Sequence, residues 1–504
     1  MLREKMSERL KKAMNMTDKA EKKVTLDEIF SPRGVAIVGV SSSMTLNFAS
    51  MVLLALKEAE FPRIYPVNPK YTEVFGLVCY PSIQSIPGPV DHVVVSIPAE
   101  QALAVLDDCA AKGVRSVHFF TAGFGESGEA DRAALERTML EKAKAGGFRI
   151  IGPNCIGLFV PKNRLAMSPG IPLAPGPIAF LSQSGGHAQT LPAFSAGRGL
   201  RYSKVVSYGN ALDVDECELL DFFAKDPETE IIGAYIEGVK DGRRFWKSLG
   251  EAAAIKPVVI YKGGHTEAGR RAAHGHTASL TSSVAVFEGL LKQKNAIRVD
   301  DVEELIDVLV ALRFVKPLPE GTGVAVIGAG GGPSVAASDE MEAAGLTVPR
   351  LSEAVQAELK KRLPLAGSIF VNPIDAGNLT SPEAMAAAMA VVGGVPDIHM
   401  LLYHLGFHPI GRWGIGRFSQ SAIVESFVRA LDQAREKTGK PVLLALRPPE
   451  DLNGMKEFLD VQEALVQAGF PVFHSLRQGA LAMARVISWN QGCARAEKRA
   501  RVVI

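Results

Sequence analysis

From about Thr25 onward, short runs of apolar and β-branched residues recur. Each is closed by a polar or glycine-rich turn and followed by a stretch with apolar positions at helical spacing. Gly34–Val40 is the first such run; it stops in Ser41-Ser42-Ser43, and Leu46–Ala59 then has helical periodicity. Arg63–Val67, Val93–Ile97, Val117–Phe120 and Arg149–Ile151 repeat the pattern. Strands that are apolar throughout, with helical stretches between them, predict a parallel sheet covered on both faces. After a Pro/Gly-rich connector, Ser168–Gly176, a second unit follows with strands at Ile178–Leu181, Tyr202–Ser207, Ile231–Ile236 and Pro257–Lys262; the amphipathic stretch Val302–Val315 closes it. Lys316–Gly321 reads as a linker. A third unit has strands at Gly323–Ile327, Met400–Tyr403 and Val442–Ala445. The fold class is therefore α/β, three consecutive doubly wound parallel-sheet domains, with bounds at 25–155, 156–316 and 321–490. A charged helical arm, 1–24, precedes them, and a basic, frayed tail, 491–504, follows. The glycine-rich, aromatic stretch Gly411–Ser419 fits no element.

Composition narrows the function more than the fold. The chain has 504 residues, room for about three domains of ordinary size. A formal charge of +2 disfavours nucleic acid and membrane surfaces as partners. The five cysteines, Cys79, Cys109, Cys155, Cys217 and Cys493, form no Cys-x-x-Cys pair. No metal site or disulfide framework is expected, and a reducing, cytoplasmic setting is the simpler reading. The arm lacks the apolar segment of a signal peptide, and no apolar run reaches the roughly 20 residues needed to span a bilayer.

Ligands of parallel α/β sheets bind beyond the carboxyl ends of the strands, where the unusual turns of this chain lie. Gly39-x-Ser41 lacks the Gly-x-Gly-x-x-Gly spacing of a dinucleotide site, which disfavours NAD but not another nucleotide-bearing cofactor. Ser182-Gln183-Ser184-Gly185-Gly186 opens a helix with hydroxyls and free amides, suited to an anion; serine N-capping is the plainer alternative. Gly330-Gly331-Gly332-Pro333 is a second turn of that kind, and Asn372-Pro373-Ile374-Asp375 is a further rigid turn. Glu237 ends a strand. Arg270–Leu280 carries two histidines, His274 and His276, among small residues that let another surface approach. Imidazole is a nucleophile or proton carrier near neutral pH. Were Glu237 to face that loop, it would accept the Nδ1 proton of His276 and aim Nε2; as a solvated turn residue it would do nothing.

Taken together, the motifs resemble those of the nucleoside-diphosphate-forming acyl-CoA synthetases, a family related to succinyl-CoA synthetase that includes the ADP-forming acetate–CoA ligases. The resemblance covers about Thr25 to Trp489. It rests on Ser31-Pro32-Arg33 leading into Val35–Gly39, on Tyr65–Lys70, Thr121–Gly128, Ile151–Cys155, Ser182–Gly185, Ser207–Asn210, Glu237-Gly238, His276-Thr277, Gly330–Pro333 and Asn372–Asp375. It implies a Rossmann-like CoA-binding domain followed by two flavodoxin-like ligase domains. Gly39, Ser41, Lys70 and the turn at Pro98 would then lie near coenzyme A, with Asn154 and Cys155 beside its thiol. His276 matches the histidine that the family phosphorylates and Glu237 the carboxylate that holds it. Ser182, Ser184 and Gly185, with Gly330, Gly331 and Gly332, match the two helix N-termini that face each other across the phosphohistidine.

The implied reaction is acyl-CoA + phosphate + ADP ⇌ carboxylate + CoA + ATP, with a small carboxylic acid as substrate. ATP or ADP with Mg would be bound by an ATP-grasp subunit on a separate chain, so a homo- or hetero-oligomer is expected. In place of the family's Thr-Gly-Ser or Thr-Gly-Ala after the histidine, this chain has Thr277-Ala278-Ser279. That departure motivates the alternative, a CoA- or acyl-CoA-binding regulatory protein of the same fold without phosphoryl transfer.

Overall fold

In the computed structural model of the chain, the described residues are 23–43, 47–269, 271, 283–328, 330–363, 369–375, 381–406, 420–449 and 451–502. His276 and the stretch 411–419 lie outside them. Three parallel sheets follow one another along the chain. In spatial order the first is Ile64–Val67, Val35–Val38, His92–Val95, Ser116–Phe119, Arg149–Ile151. The second runs Tyr202–Ser207, Pro175–Ser182, Ile231–Ile236, Val258–Lys262, Ile297–Val299, with Leu158–Phe159 added antiparallel at the Tyr202–Ser207 edge. The third runs Ile374–Asp375, Val324–Gly328, Met400–Gly406, Val442–Arg447, Val472–Phe473. All three therefore share one order of their parallel strands, second-first-third-fourth-fifth, and one doubly wound plan.

The central strands are buried end to end, as their unbroken apolar sequence predicts. The short strands Leu158–Phe159, Ile297–Val299, Ile374–Asp375 and Val472–Phe473 were not legible in the sequence: two or three residues carry no periodicity, and pairing alone defines them. The basic stretch read as a tail at 491–504 continues the helix Leu476–Val502. That helix packs on the helices Val302–Phe314 and Gly331–Ala343.

Adjoining sheets share their cores. Phe30 lies against Phe222 and Phe223 at ring-centroid separations of 5.3 and 6.3 Å, within a cluster that joins Val35 and Leu53 to Leu219 and Ile260. A second cluster joins Val308 and Leu312 to Val324, Met400 and Val486. Between the first two sheets the chain also makes a backbone seam: the amides of Asn210, Leu212 and Val214 donate to the carbonyls of Pro153, Gly152 and Ile150. Arg149, 4% exposed, pins this seam. Its guanidinium binds both oxygens of Asp213 at 2.7 and 3.0 Å and both of Glu218 at 2.8 and 2.7 Å. Burial pushes the Glu218 carboxyl up, but its bonds to Arg149 outweigh this and hold it below the usual range.

A carboxylate whose proton affinity falls on folding contributes stability above its unfolded pKa and loses it as pH drops through the folded value. Arg149→Met leaves two carboxylates facing an apolar side chain, and it is expected to cost about 3–5 kcal/mol at neutral pH, less on acidification, measured by urea unfolding at pH 7 and pH 4.

Candidate functional site

In each sheet the first and third strands send their connections to opposite faces, which opens a crevice at their carboxyl ends. The turns that carry the candidate residues after those strands all fall at such a crevice. In the first sheet, Val35–Val38 ends at Gly39, whose φ of +97° suits glycine. A methyl group there would run into the carbonyl oxygen of Ser96, the residue that follows the third strand. Asn47 caps the helix Phe48–Glu58 and donates to the Gly39 carbonyl at 2.8 Å, while Asn68 donates to the Val40 carbonyl at 2.7 Å. The result is a groove of about 320 Å³ whose lining includes Gly39, Lys70, Ile97, Gln101 and Asp108. Ser41 is not in that lining: its amide donates to Ser50 Oγ at 3.1 Å, and its hydroxyl lies 3.4 Å from that of Tyr71. Pro98 is likewise outside the lining and leads into the short helix Ala99–Gln101, whose Gln101 lines the groove.

Asn154 and Cys155 are not in the lining of this groove. Asn154, at φ +58°, donates its amide to the Thr121 carbonyl at 3.0 Å. Cys155 is buried with Sγ 3.7 Å from the Phe119 carbonyl. Burial pushes its thiol up, so the group stays protonated and packs rather than attacks.

The second sheet brings Ser182, Ser184, Gly185 and Glu237 together through a residue the sequence reading passed over, Gln183. Its side-chain oxygen accepts from the amides of Glu237 and, at 2.9 Å, Gly238, and its nitrogen donates to the Gly238 carbonyl at 3.0 Å. Gln183 is buried, and its one side chain offers both donor and acceptor to the facing turn. Ser182 Oγ donates to the Ser184 carbonyl at 2.7 Å, and Ser184 Oγ accepts from the amide of His187 at 3.3 Å. The N-capping alternative is thus present, and it sets the first turn of the helix Gly185–Ser195 against the Glu237 turn. Glu237 is 5% exposed, and the hydroxyl of Tyr235 donates to its Oε1 at 3.2 Å. The His187 ring lies 4.5 Å from that of Tyr235, and burial lowers its proton affinity against the pull of Glu237 and Glu303.

In the third sheet, Gly330, at φ +97°, precedes the helix Gly331–Ala343 that Gly331 and Gly332 open. The Gly330 amide donates to Asp375 Oδ1 at 2.9 Å. Buried Asn372 accepts from the Val326 amide and donates to the carbonyls of Val324 and Pro349, which fixes the turn carrying Asp375. Below the glycines, the hydroxyl of buried Ser334 meets His404 Nε2 at 3.2 Å. Among the described residues no cluster of His, Cys, Asp or Glu is fit to hold a metal, and no helix is long and apolar enough to cross a membrane. Chemically, the chain offers a groove with a cation at its rim, and two glycine-opened helix N-termini each beside a fixed carboxylate.

Residues 33–161 match the model of a CoA binding domain, and residues 175–312 that of the succinyl-CoA ligase like flavodoxin domain. The chain is 36% identical over 350 residues to the acetate–CoA ligase [ADP-forming] II subunit alpha of Pyrococcus furiosus, covering 69% of this chain and 76% of that protein. To the corresponding I subunit alpha of the same organism it is 31% identical over 482 residues, covering 93% and 98%. It spans about half the length, 54% and 52%, of other curated relatives that it matches. Among solved structures it is similar to the dinucleotide forming acetyl-coenzyme A synthetase 1 of Candidatus Korarchaeum cryptofilum in complex with phosphate and ADP. The TM-score is 0.77 at 30% identity, over 94% of this chain and 98% of that one.

Gly39→Ala meets both a left-handed backbone and the Ser96 carbonyl oxygen. It is expected to destabilise the first domain by about 2–4 kcal/mol, read as a drop in the urea midpoint with an unchanged slope.

Proposed function

This chain belongs to the family of the ADP-forming acyl-CoA ligases, and from that membership we propose that it is the CoA-binding subunit that relays a phosphoryl group between the thioester site and a nucleotide-binding partner. The observation that carries the reading is the bracket in the second sheet. Gln183 joins the Glu237 turn to a helix N-terminus opened by two glycines, beside the strand Val258–Lys262 that leads towards His276. The glycine amides and the helix dipole favour a phosphoryl dianion there, and Glu237 is held by Tyr235 rather than left to solvent.

Coenzyme A fits the first groove on two counts. Gly39 keeps the crevice open where a side chain would fill it, and Lys70 supplies a cation for phosphate groups. When bound, it supplies the thiol of the thioester. The chain's own groups do the rest. Phosphate displaces CoA from the thioester to give the acyl phosphate; His276, neutral, then takes its phosphoryl group through Nε2 and releases the carboxylate, while Glu237 accepts a hydrogen bond from Nδ1–H and stabilises the charge that forms. The turn at Gly330–Gly332 is assigned to the second helix N-terminus of the phosphoryl site. The small carboxylic acid has then already left, and transfer to ADP, held with Mg by an ATP-grasp subunit, completes the cycle. The near-complete match to a relative named as a subunit alpha supports the division between two chains.

The assignment is tested in the complex with the nucleotide-binding partner by incubation with ATP labelled in the γ-phosphate. Acid-labile, alkali-stable label is expected on the native chain and none on His276→Ala, and Glu237→Gln is expected to slow labelling by about 10²–10⁴-fold. Undiminished label on His276→Ala overturns the reading.

A further inference from the structure

One buried charge near Glu237 has no part in the relay just described. Lys262 ends the strand Val258–Lys262 in register with Ile236, so it stands beside the residue that precedes Glu237. It is 3% exposed. Its ammonium donates to the carbonyl of Glu237 at 2.6 Å and to that of Gly263 at 2.5 Å, and lies 5.7 Å from the Phe287 ring centroid. Gly263 passes so close that a methyl there would lie 2.5 Å from the Tyr235 hydroxyl and 3.3 Å from Glu237 Cγ. A lysine loses its full hydration on burial, so one whose bonds go to neutral carbonyls is a costly way to close a turn. Burial indeed lowers its proton affinity, and the Glu237 carboxylate is what opposes this.

We propose that Lys262 is a positioning residue of the phosphoryl site: its ammonium ties the Glu237 turn to the Gly263 turn and supplies the counter-charge that lets a phosphate dianion enter beside the Glu237 carboxylate. The inference rests on the reading that the phosphoryl group is handled at Glu237. The geometry gives it two consequences. The two turns that flank the site move as one, because both carbonyls share one donor. The site also carries a fixed positive charge below it, in a medium where a unit charge several ångströms away changes anion affinity by about tenfold.

Among the described residues, the other ionisable groups around the site are Glu237, Tyr235 on the same strand, Tyr261 and His265 on the neighbouring segment, His187 on the helix Gly185–Ser195, and Asp301 and Glu303 beyond Tyr261. Burial raises the Tyr235 and Tyr261 hydroxyls and lowers the His187 imidazole, so these groups move away from the range between neutral pH and the ordinary lysine value. Lys262 moves into it. Its charge is complete below its lowered pKa and is lost as pH rises through that value.

The test measures KM for inorganic phosphate and kcat against pH in the complete enzyme, in the direction that consumes acyl-CoA. In the native protein KM for phosphate is expected to hold through neutral pH and to climb on the alkaline side. Lys262→Arg, which stays charged, should move that climb to higher pH. Lys262→Gln, which keeps a donor but loses the charge, should raise KM for phosphate about tenfold at neutral pH and abolish the climb. A folded Lys262→Gln with native KM, or an alkaline climb unmoved in Lys262→Arg, overturns the proposal; if the glutamine variant does not fold, the arginine profile decides. Glu237→Gln separates the two readings. Native labelling in that variant removes the role given to Glu237, whereas loss of labelling beside a native phosphate KM in Lys262→Gln removes Lys262 alone.

Discussion

The reversal of winding at the first strand of each sheet is the constraint on which the molecule depends. A right-handed crossover from the first strand to the second covers one face, and the crossover from the third strand to the fourth covers the other. The connections that leave the first and third strands therefore diverge from the sheet's carboxyl edge. The chain repeats that plan three times, and each time it places its glycine-rich or serine-rich turn at the opening. Any larger residue at Gly39 would meet the Ser96 carbonyl just beyond the third strand. Gln183 reaches across the equivalent gap to Glu237 and Gly238, and Gly330 is held across the third sheet's edge by Asp375.

The relay proposed above requires the three openings to keep their mutual placement. The joined cores and the Arg149 clamp give the chain that property. Phe30 belongs to the first domain by sequence yet packs on Phe222 and Phe223 of the second, and Val308 and Leu312 of the second pack with Met400 and Val486 of the third. Arg198 extends the same logic: buried between the second and third units, it pairs with Asp307 at 2.6 Å and donates to the Val472 carbonyl. Such cationic links are directional where apolar contacts are not, so they set orientation as well as proximity.

The second opening concentrates its polar groups under aromatic cover. The rings of Tyr235, Tyr261 and His187 meet at tilted and edge-on angles, 4.5–6.0 Å apart, beside Glu237, which is buried. In that setting the Tyr235 hydroxyl is bonded to Glu237 and the Lys262 ammonium to two carbonyls, so the dipoles that the proposed phosphoryl site needs are already oriented.

How much of this was legible in the chain depends on the range of the interaction. The strands Val35–Val38, Ile231–Ile236 and Val324–Gly328 were readable because burial on both faces writes an apolar run into consecutive residues. The three-sheet plan followed from their spacing, and the family from the turns between them. Glu237 and the glycines of 185 and 330–332 were singled out because local chemistry, a carboxylate or free amides at a strand end, is itself a sequence property. Arg149 with Asp213 and Glu218, and Gln183 with Glu237, were not readable: their partners stand about 50 to 70 positions away, and an arginine or glutamine in isolation looks like surface. Nor did sequence tell that Cys155 is sealed in the core beside the Phe119 carbonyl, since an Asn-Cys turn is as compatible with solvent as with burial. The order of residues determined which segments become strands and which turns can meet an anion. Only the packing of one sheet on the next decided which charges are buried and which carboxylate is clamped, because desolvation is a property of neighbours in space.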